Sequence, residues 1–243
     1  MKYYSAFALN DLKNIRRESL LLYILLVPWL IVALLRWVIP PLADFLLSSF
    51  QFVLEPYYPL VFSFFIILQV PLLFGVVFGF LILDEKDDRV LTILQVTPVT
   101  LQGYIRYRLL AAVIFSIIYV MAILGATGLI EFSLWVRILP IAAVGGIFAV
   151  FSMFLLLAFA NNKVEGLAIM KGMGIMMLGP LAAYFIDSKW QLLLGFLPSY
   201  WPAKAYWLTS DGQNAWIYVG IGFIYTSFWL LLLWKRFKRK VSM

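Results

Sequence analysis

DEKDDRVLTILQVTPVTLQGYIRYR, residues 84–108, is a charged island in an otherwise oily chain. The apolar run Leu60–Leu83 leads into it and another begins at Leu109. Each run is near the ~20 residues that cross about 30 Å of hydrocarbon. A polar stretch held between two such runs has to project into water. That reading makes the chain a membrane bundle rather than a soluble domain.

Composition agrees. The 243 residues are 64% hydrophobic and 13% charged, with a mean hydropathy of +0.97, whereas soluble domains run at roughly 45–50% apolar and about 25% charged. Six apolar runs stand out: Leu20–Ile39, Leu60–Leu83, Leu109–Ile130, Ile138–Ala160, Gly172–Ile186 and Ala215–Trp234. The fifth is short, and the reading extends it back through Gly166–Lys171 or lets it dip into the loop beyond. The expected fold is an all-α membrane protein, one transmembrane domain over 1–243, with six spans. An N-terminal arm, 1–19, precedes them, and short extracytoplasmic helices come before the last. In the arm, Tyr4, Ala8, Leu12 and Ile15 share a helical face opposite Lys13, Arg16 and Arg17. Either an amphipathic helix on the inner membrane surface or a plain basic flank satisfies that pattern.

Fifteen of the nineteen Lys and Arg residues fall in the arm, the island, the loop before the fifth run and the tail. Only Arg36, Arg137, Lys189 and Lys204 fall on the other side. Inner loops of membrane proteins carry the Lys/Arg excess, so both termini and the island are expected in the cytoplasm, with the chain in the cytoplasmic (inner) membrane. Trp190, Trp201, Trp207 and Trp216 gather with Tyr200 and Tyr206 at the opposite end, as interfacial aromatic belts do. There Asp187–Asn214, broken at Pro198 and Pro202, reads as one or two short helices lying at the outer surface or re-entering. They form either a lid over an exit path or a loop resting on the membrane.

Much chemistry is excluded. Cysteine and histidine are absent, which removes thiol nucleophiles, disulfides, Cys/His metal sites and imidazole catalysis. There is no GxxxxGK[ST] phosphate loop, HExxH or GxSxG. No catalytic or metal residues are therefore assigned, and the chain is not read as an enzyme. Asp84, Asp87 and Asp88 are interleaved with Lys86 and Arg89, a solvated turn rather than a metal cluster. The basic residues form no groove interleaved with stacking aromatics, so nucleic acid is not a partner. No acidic residue lies within a predicted span. Charges at bilayer depth usually mark ion or proton pathways, so coupling to a proton or sodium gradient is disfavoured.

Inside the spans the punctuation is proline, glycine and one amide. Pro28, Pro71 and Pro180 remove backbone hydrogen bonds and should kink their helices. Gln69 is a polar group at depth that needs a partner or water. Gly75 and Gly79 form a GxxxG, suited to close helix approach within the chain or between copies. Span two is thus the candidate wall of a translocation path, through Gln69, Pro71, Gly75 and Gly79, with Pro180 from span five.

The island carries a resemblance. Asp84, Glu85, Asp87 and Asp88 are followed by Arg89-Val90-Leu91, then Leu94 and Thr97-Pro98, between two spans and before a basic return. This resembles the permease subunits of ABC-2-type transporters, where E-x-E-x-G-T-L-x-x-L-x-x-T-P recurs, and within them the fluoroquinolone export permeases. Arg89 stands where Gly is usual, and Val90 replaces the Thr. The resemblance implies that the island is a coupling loop docked on a separate ABC ATP-binding subunit. Val90, Leu91 and Leu94 would be apolar knobs, Thr97-Pro98 the end of the helix, and Asp84, Glu85, Asp87, Asp88 and Arg89 polar contacts. It implies two ATPase copies holding ATP and Mg²⁺, no cofactor on this chain, and a second permease copy or a sister permease completing the path. Hydrophobic or amphipathic cargo, drug-like or lipid-like, would be exported through it. Membrane lipids are the remaining partner. Two rivals stand beside this: a secondary multidrug or lipid carrier, and a non-transporting assembly subunit.

Overall fold

A computed structural model of the protein describes residues 11, 13–88, 101–130 and 132–241. It is all-helical, and six of its helical stretches are long and apolar enough to cross a membrane. We number the helices α1 (Ser19–Trp37), α2 (Ile39–Phe50), α3 (Tyr58–Phe62), α4 (Gln69–Asp87), α5 (Leu101–Thr127), α6 (Trp135–Phe159), α7 (Lys163–Met173), α8 (Ile175–Tyr184), α9 (Tyr200–Ser210) and α10 (Trp216–Val241).

Several boundaries differ from the sequence reading, each for a physical reason. Span two is continuous from Glu55 to Asp87, 33 residues, because a π-helical segment, Ser63–Leu68, joins α3 to α4. At 1.5 Å per residue this is about 50 Å, well beyond the hydrocarbon thickness. The acidic start of the island is therefore the protruding end of a helix. Likewise α5 begins at Leu101 rather than Leu109, since Arg106 and Arg108 are good helix formers that need not lie in a loop. The outer loop after span one contains α2, a helix that opens on Pro40 and Pro41. Proline is at home in a first turn, where its missing N–H has no intrahelical partner in any case. Span five covers Lys163–Tyr184 as α7 and α8, interrupted at Gly174.

The centre is α4 against α6. A Cβ on Gly75 would collide with the Ala149 carbonyl oxygen and come within 2.8 Å of the Ser152 Cβ. From the facing side, a Cβ on Gly145 would stand 3.1 Å from the Pro71 ring. Helices without a hydrophobic drive between them associate by such close backbone approach. α6 also packs on α5 and α10, where Phe154 meets Trp234 edge-on at 5.3 Å. α4 and α6 are enclosed on most sides, while α1, α5 and α10 turn apolar residues such as Leu30, Ile118 and Phe228 outward. Lipid tails suit those faces.

Pro71 has no N–H to give the Ile67 carbonyl, and the helical disturbance that follows takes the form of the π turn directly before it. Short helical pieces do precede the last span: a 3₁₀ stretch, Lys189–Phe196, and α9. α9 is no surface element. Tyr200, Ala203, Tyr206 and Trp207 are buried, and the Trp207 indole N–H donates to Ser63 Oγ in the π turn at 2.7 Å.

Candidate coupling and translocation site

At the basic end of the bundle the protruding tips of α4 and α5 are tied together. The helical periodicity of α4 sets Glu85 in line with Phe78, Leu81 and Ile82, all buried, so its carboxylate is carried inward. There it meets Arg108, which is 0% exposed. Arg108 Nη2 donates to Glu85 Oε1 at 2.6 Å, and Nη1 stands 2.6 Å from Asp11 Oδ1. Nε donates to the Tyr104 hydroxyl at 2.8 Å, one helical turn earlier, and the guanidinium lies over the Tyr104 ring. The Tyr107 hydroxyl donates to the other Asp11 oxygen at 2.8 Å. Burial pushes the Asp11 carboxyl above its ordinary range, with Arg108 and Tyr107 pulling the other way. The second Glu85 oxygen has no hydrogen-bond partner among the described residues.

A second cluster lies beside the first. Lys163, at the start of α7, donates to both Glu18 oxygens at 2.5 and 2.6 Å and to Asp84 Oδ2 at 3.1 Å. Asn162 caps α7 by accepting the Glu165 backbone N–H at 2.9 Å, while Glu165 accepts the Asn161 N–H at 2.7 Å. This reciprocal arrangement fixes the helix start. Lys86 donates to the Asn161 carbonyl at 3.2 Å. The arm, α4, α5 and α7 thus form one charge-linked plate.

Of the island residues that the sequence singles out, Asp84 and Glu85 are engaged inside this plate. Asp87 and Asp88 are exposed. Arg89, Val90, Leu91, Leu94, Thr97 and Pro98 lie outside the described residues, as do Tyr4, Ala8 and Leu12 of the arm. The sequence reading placed Arg108 with the surface cations and missed its burial. One signal was available: it directly precedes an apolar run, with tyrosines one and four residues before it.

The path candidates separate cleanly. Pro71, Gly75, Gly79 and Pro180 are buried. Pro71 and Gly75 pack on α6 directly, and a Cβ on Gly79 would touch Leu156. The three on α4 pack against α6 within the chain. Gln69 is different. It belongs to the stripe Val61, Phe65, Gln69 and Leu73, half-buried or exposed where the neighbouring positions of the span are mostly buried. Phe65 is 36% exposed. No described residue hydrogen-bonds the Gln69 carboxamide. An amide near the middle of a membrane helix, open on one side, calls for water, a second chain or cargo.

A long, all-helical bundle with a part-exposed stripe carrying one amide on a central span and a charged plate at one end defines a polytopic membrane protein. The comparisons make that specific. The family model described as fluoroquinolones export permease protein Rv2686c-like matches residues 11–234. The chain belongs to this family. It is 35% identical over 237 residues to the fluoroquinolones export permease protein Rv2686c of Mycobacterium tuberculosis (strain ATCC 25618 / H37Rv), covering 97% of this chain and 94% of that one. The same figures hold for the fluoroquinolones export permease protein MT2760 of the CDC 1551 / Oshkosh strain. No solved structure matches the chain.

Proposed function

We propose that the protein is the permease subunit of an ATP-driven ABC-2-type exporter of planar amphipathic drugs, fluoroquinolones among them. Residues 89–98 would dock on a separate ATP-binding subunit. The observation that carries this reading is the continuity of α4. One helix of 19 residues runs from Gln69 to Asp87, linking the open mid-membrane stripe to the plate that flanks the island. Packed helices shift as units rather than stretch. Displacement of the island by an ATPase would therefore reach Gln69 without passing through a flexible joint. Arg108 holds the α4 and α5 tips together, so both would move.

Cargo follows from the stripe. Phe65 offers an aromatic face and Gln69 a donor and an acceptor, with no charge to demand a counter-ion. The names of the relatives support drug export. ATP and Mg²⁺ would be held by two copies of the partner ATPase, and a second copy of this chain or a sister permease would close the open side of the path. The Lys/Arg excess at the plate end supports a cytoplasmic-membrane location with both termini and the island inside.

The test is transport in inverted vesicles containing the chain with a co-expressed ABC ATPase. Norfloxacin accumulation that requires ATP and is blocked by vanadate supports the reading. Accumulation that follows an imposed proton gradient without ATP contradicts it and favours a secondary carrier.

A further inference from the structure

The end of the bundle opposite the plate holds a cavity of about 230 Å³ between the first turns of α6 and α10 and the end of α9. Arg137, Thr209, Gln213, Asn214, Trp216 and Val219 are among its walls, and no carboxylate among the described residues lines it. The loop that forms one wall satisfies its own backbone. Gly212 N–H donates to the Thr209 carbonyl at 3.1 Å, and Gln213 N–H donates to Leu208 at 2.8 Å. Trp216 N–H donates to Asn214 Oδ1 at 3.0 Å, while the Thr209 hydroxyl donates to Ala205 at 2.9 Å.

What remains is a surplus of donors. Asn214 uses its oxygen as the cap of α10, so its amide nitrogen is left over. The Gln213 carboxamide and the Arg137 guanidinium are exposed at the cavity mouth and have no protein partner among the described residues. Two other cations at this end are engaged: Arg36 donates to the Ala126 carbonyl at 3.0 Å, and Lys204 lies over the Trp207 ring at 5.8 Å. Guanidinium offers a planar fork that matches phosphate and carboxylate oxygens. Trp216 and Val219 add an apolar wall at the depth where indoles favour the membrane interface.

We propose that this cavity binds the oxyanion of an amphiphile, the phosphodiester of an anionic phospholipid in the adjoining leaflet. Arg137 and the Gln213 and Asn214 amides would be its donors. The site stands independently of ATP coupling, since binding alone reports on it.

The experiment is native mass spectrometry of the full-length delipidated protein titrated with dioleoyl phosphatidylglycerol or dioleoyl phosphatidylcholine. The expected result is a preference for phosphatidylglycerol of about tenfold, the size of one charge-assisted contact. Arg137→Gln should abolish it and Arg137→Lys keep part of it. Lys189→Gln, which removes equal charge at the same end but outside the cavity, should leave it intact. Sodium laurate distinguishes the sources: failure to displace the lipid assigns the site to phosphodiesters, while displacement extends it to amphiphilic carboxylates, cargo included. Equal retention of the two lipids, equal losses in Arg137→Gln and Lys189→Gln, or displacement by inorganic phosphate alone would overturn the proposal.

Discussion

The two ends of this bundle are closed by different chemistry. At the plate end, helices are joined through charge: Arg108 to Glu85 and Asp11, Lys163 to Glu18 and Asp84. At the opposite end they are joined by ring donors reaching single oxygens. Trp207 donates to Ser63, Trp201 to the Gly195 carbonyl, Tyr184 to the Pro56 carbonyl and Tyr225 to the Phe196 carbonyl. Amphipathic rings hold an interface by burying their bodies while satisfying one polar atom. A buried ion network instead stands or falls as a unit, because removal of one member leaves a charge uncompensated. The plate is therefore built to keep two helix tips in fixed relation, and the aromatic end to tolerate small adjustments.

This contrast can be broken by substitution. Arg108→Met should have the largest effect, a loss of about 3–5 kcal/mol because Glu85 and Asp11 would remain buried without a counter-charge. Thermal unfolding in detergent would show it, and little dependence on salt should mark its burial. Trp207→Phe at the other end keeps an aromatic ring but loses one hydrogen bond and part of the buried indole volume, so about 1–3 kcal/mol is expected in the same assay. Lys163→Gln comes last, at under about 1 kcal/mol, since its pairs are partly open to solvent and screened. Its effect should shrink further at high salt. If Trp207→Phe proved more damaging than Arg108→Met, the assignment of the rigid role to the plate would be reversed.

Much of the architecture was legible because spans of about 20 apolar residues leave few alternatives. Even the two short helical pieces between Asp187 and Asn214 could be anticipated from Pro198 and Pro202. What escaped the reading has common causes. α2 was hidden because Pro40-Pro41 looks like a break, although proline starts helices well. Leu101–Arg108 looked like loop because charge was equated with irregular structure. The pairing of Glu85 with Arg108 spans 23 positions, and no local period reveals such a contact. On the site, Gln69 could be picked out by its polarity alone, but neighbouring Gly75 and Gly79 could not be separated from it. Glycines that line a path and glycines that admit a neighbouring helix read identically until the neighbour, here Ala149 and Ser152 of α6, is in place.

The central claim is that the part-exposed stripe around Gln69, at the start of α4, meets cargo while the far tip of α4 answers to an ATPase. Gln69→Leu tests it most directly, because leucine keeps the volume and helix propensity but removes the amide. In proteoliposomes holding the permease and its ATPase, drug transport should fall by roughly tenfold, the value of one or two lost hydrogen bonds. Basal ATP hydrolysis should persist and lose its stimulation by drug. Transport and stimulated hydrolysis equal to those of the unsubstituted protein would contradict the account.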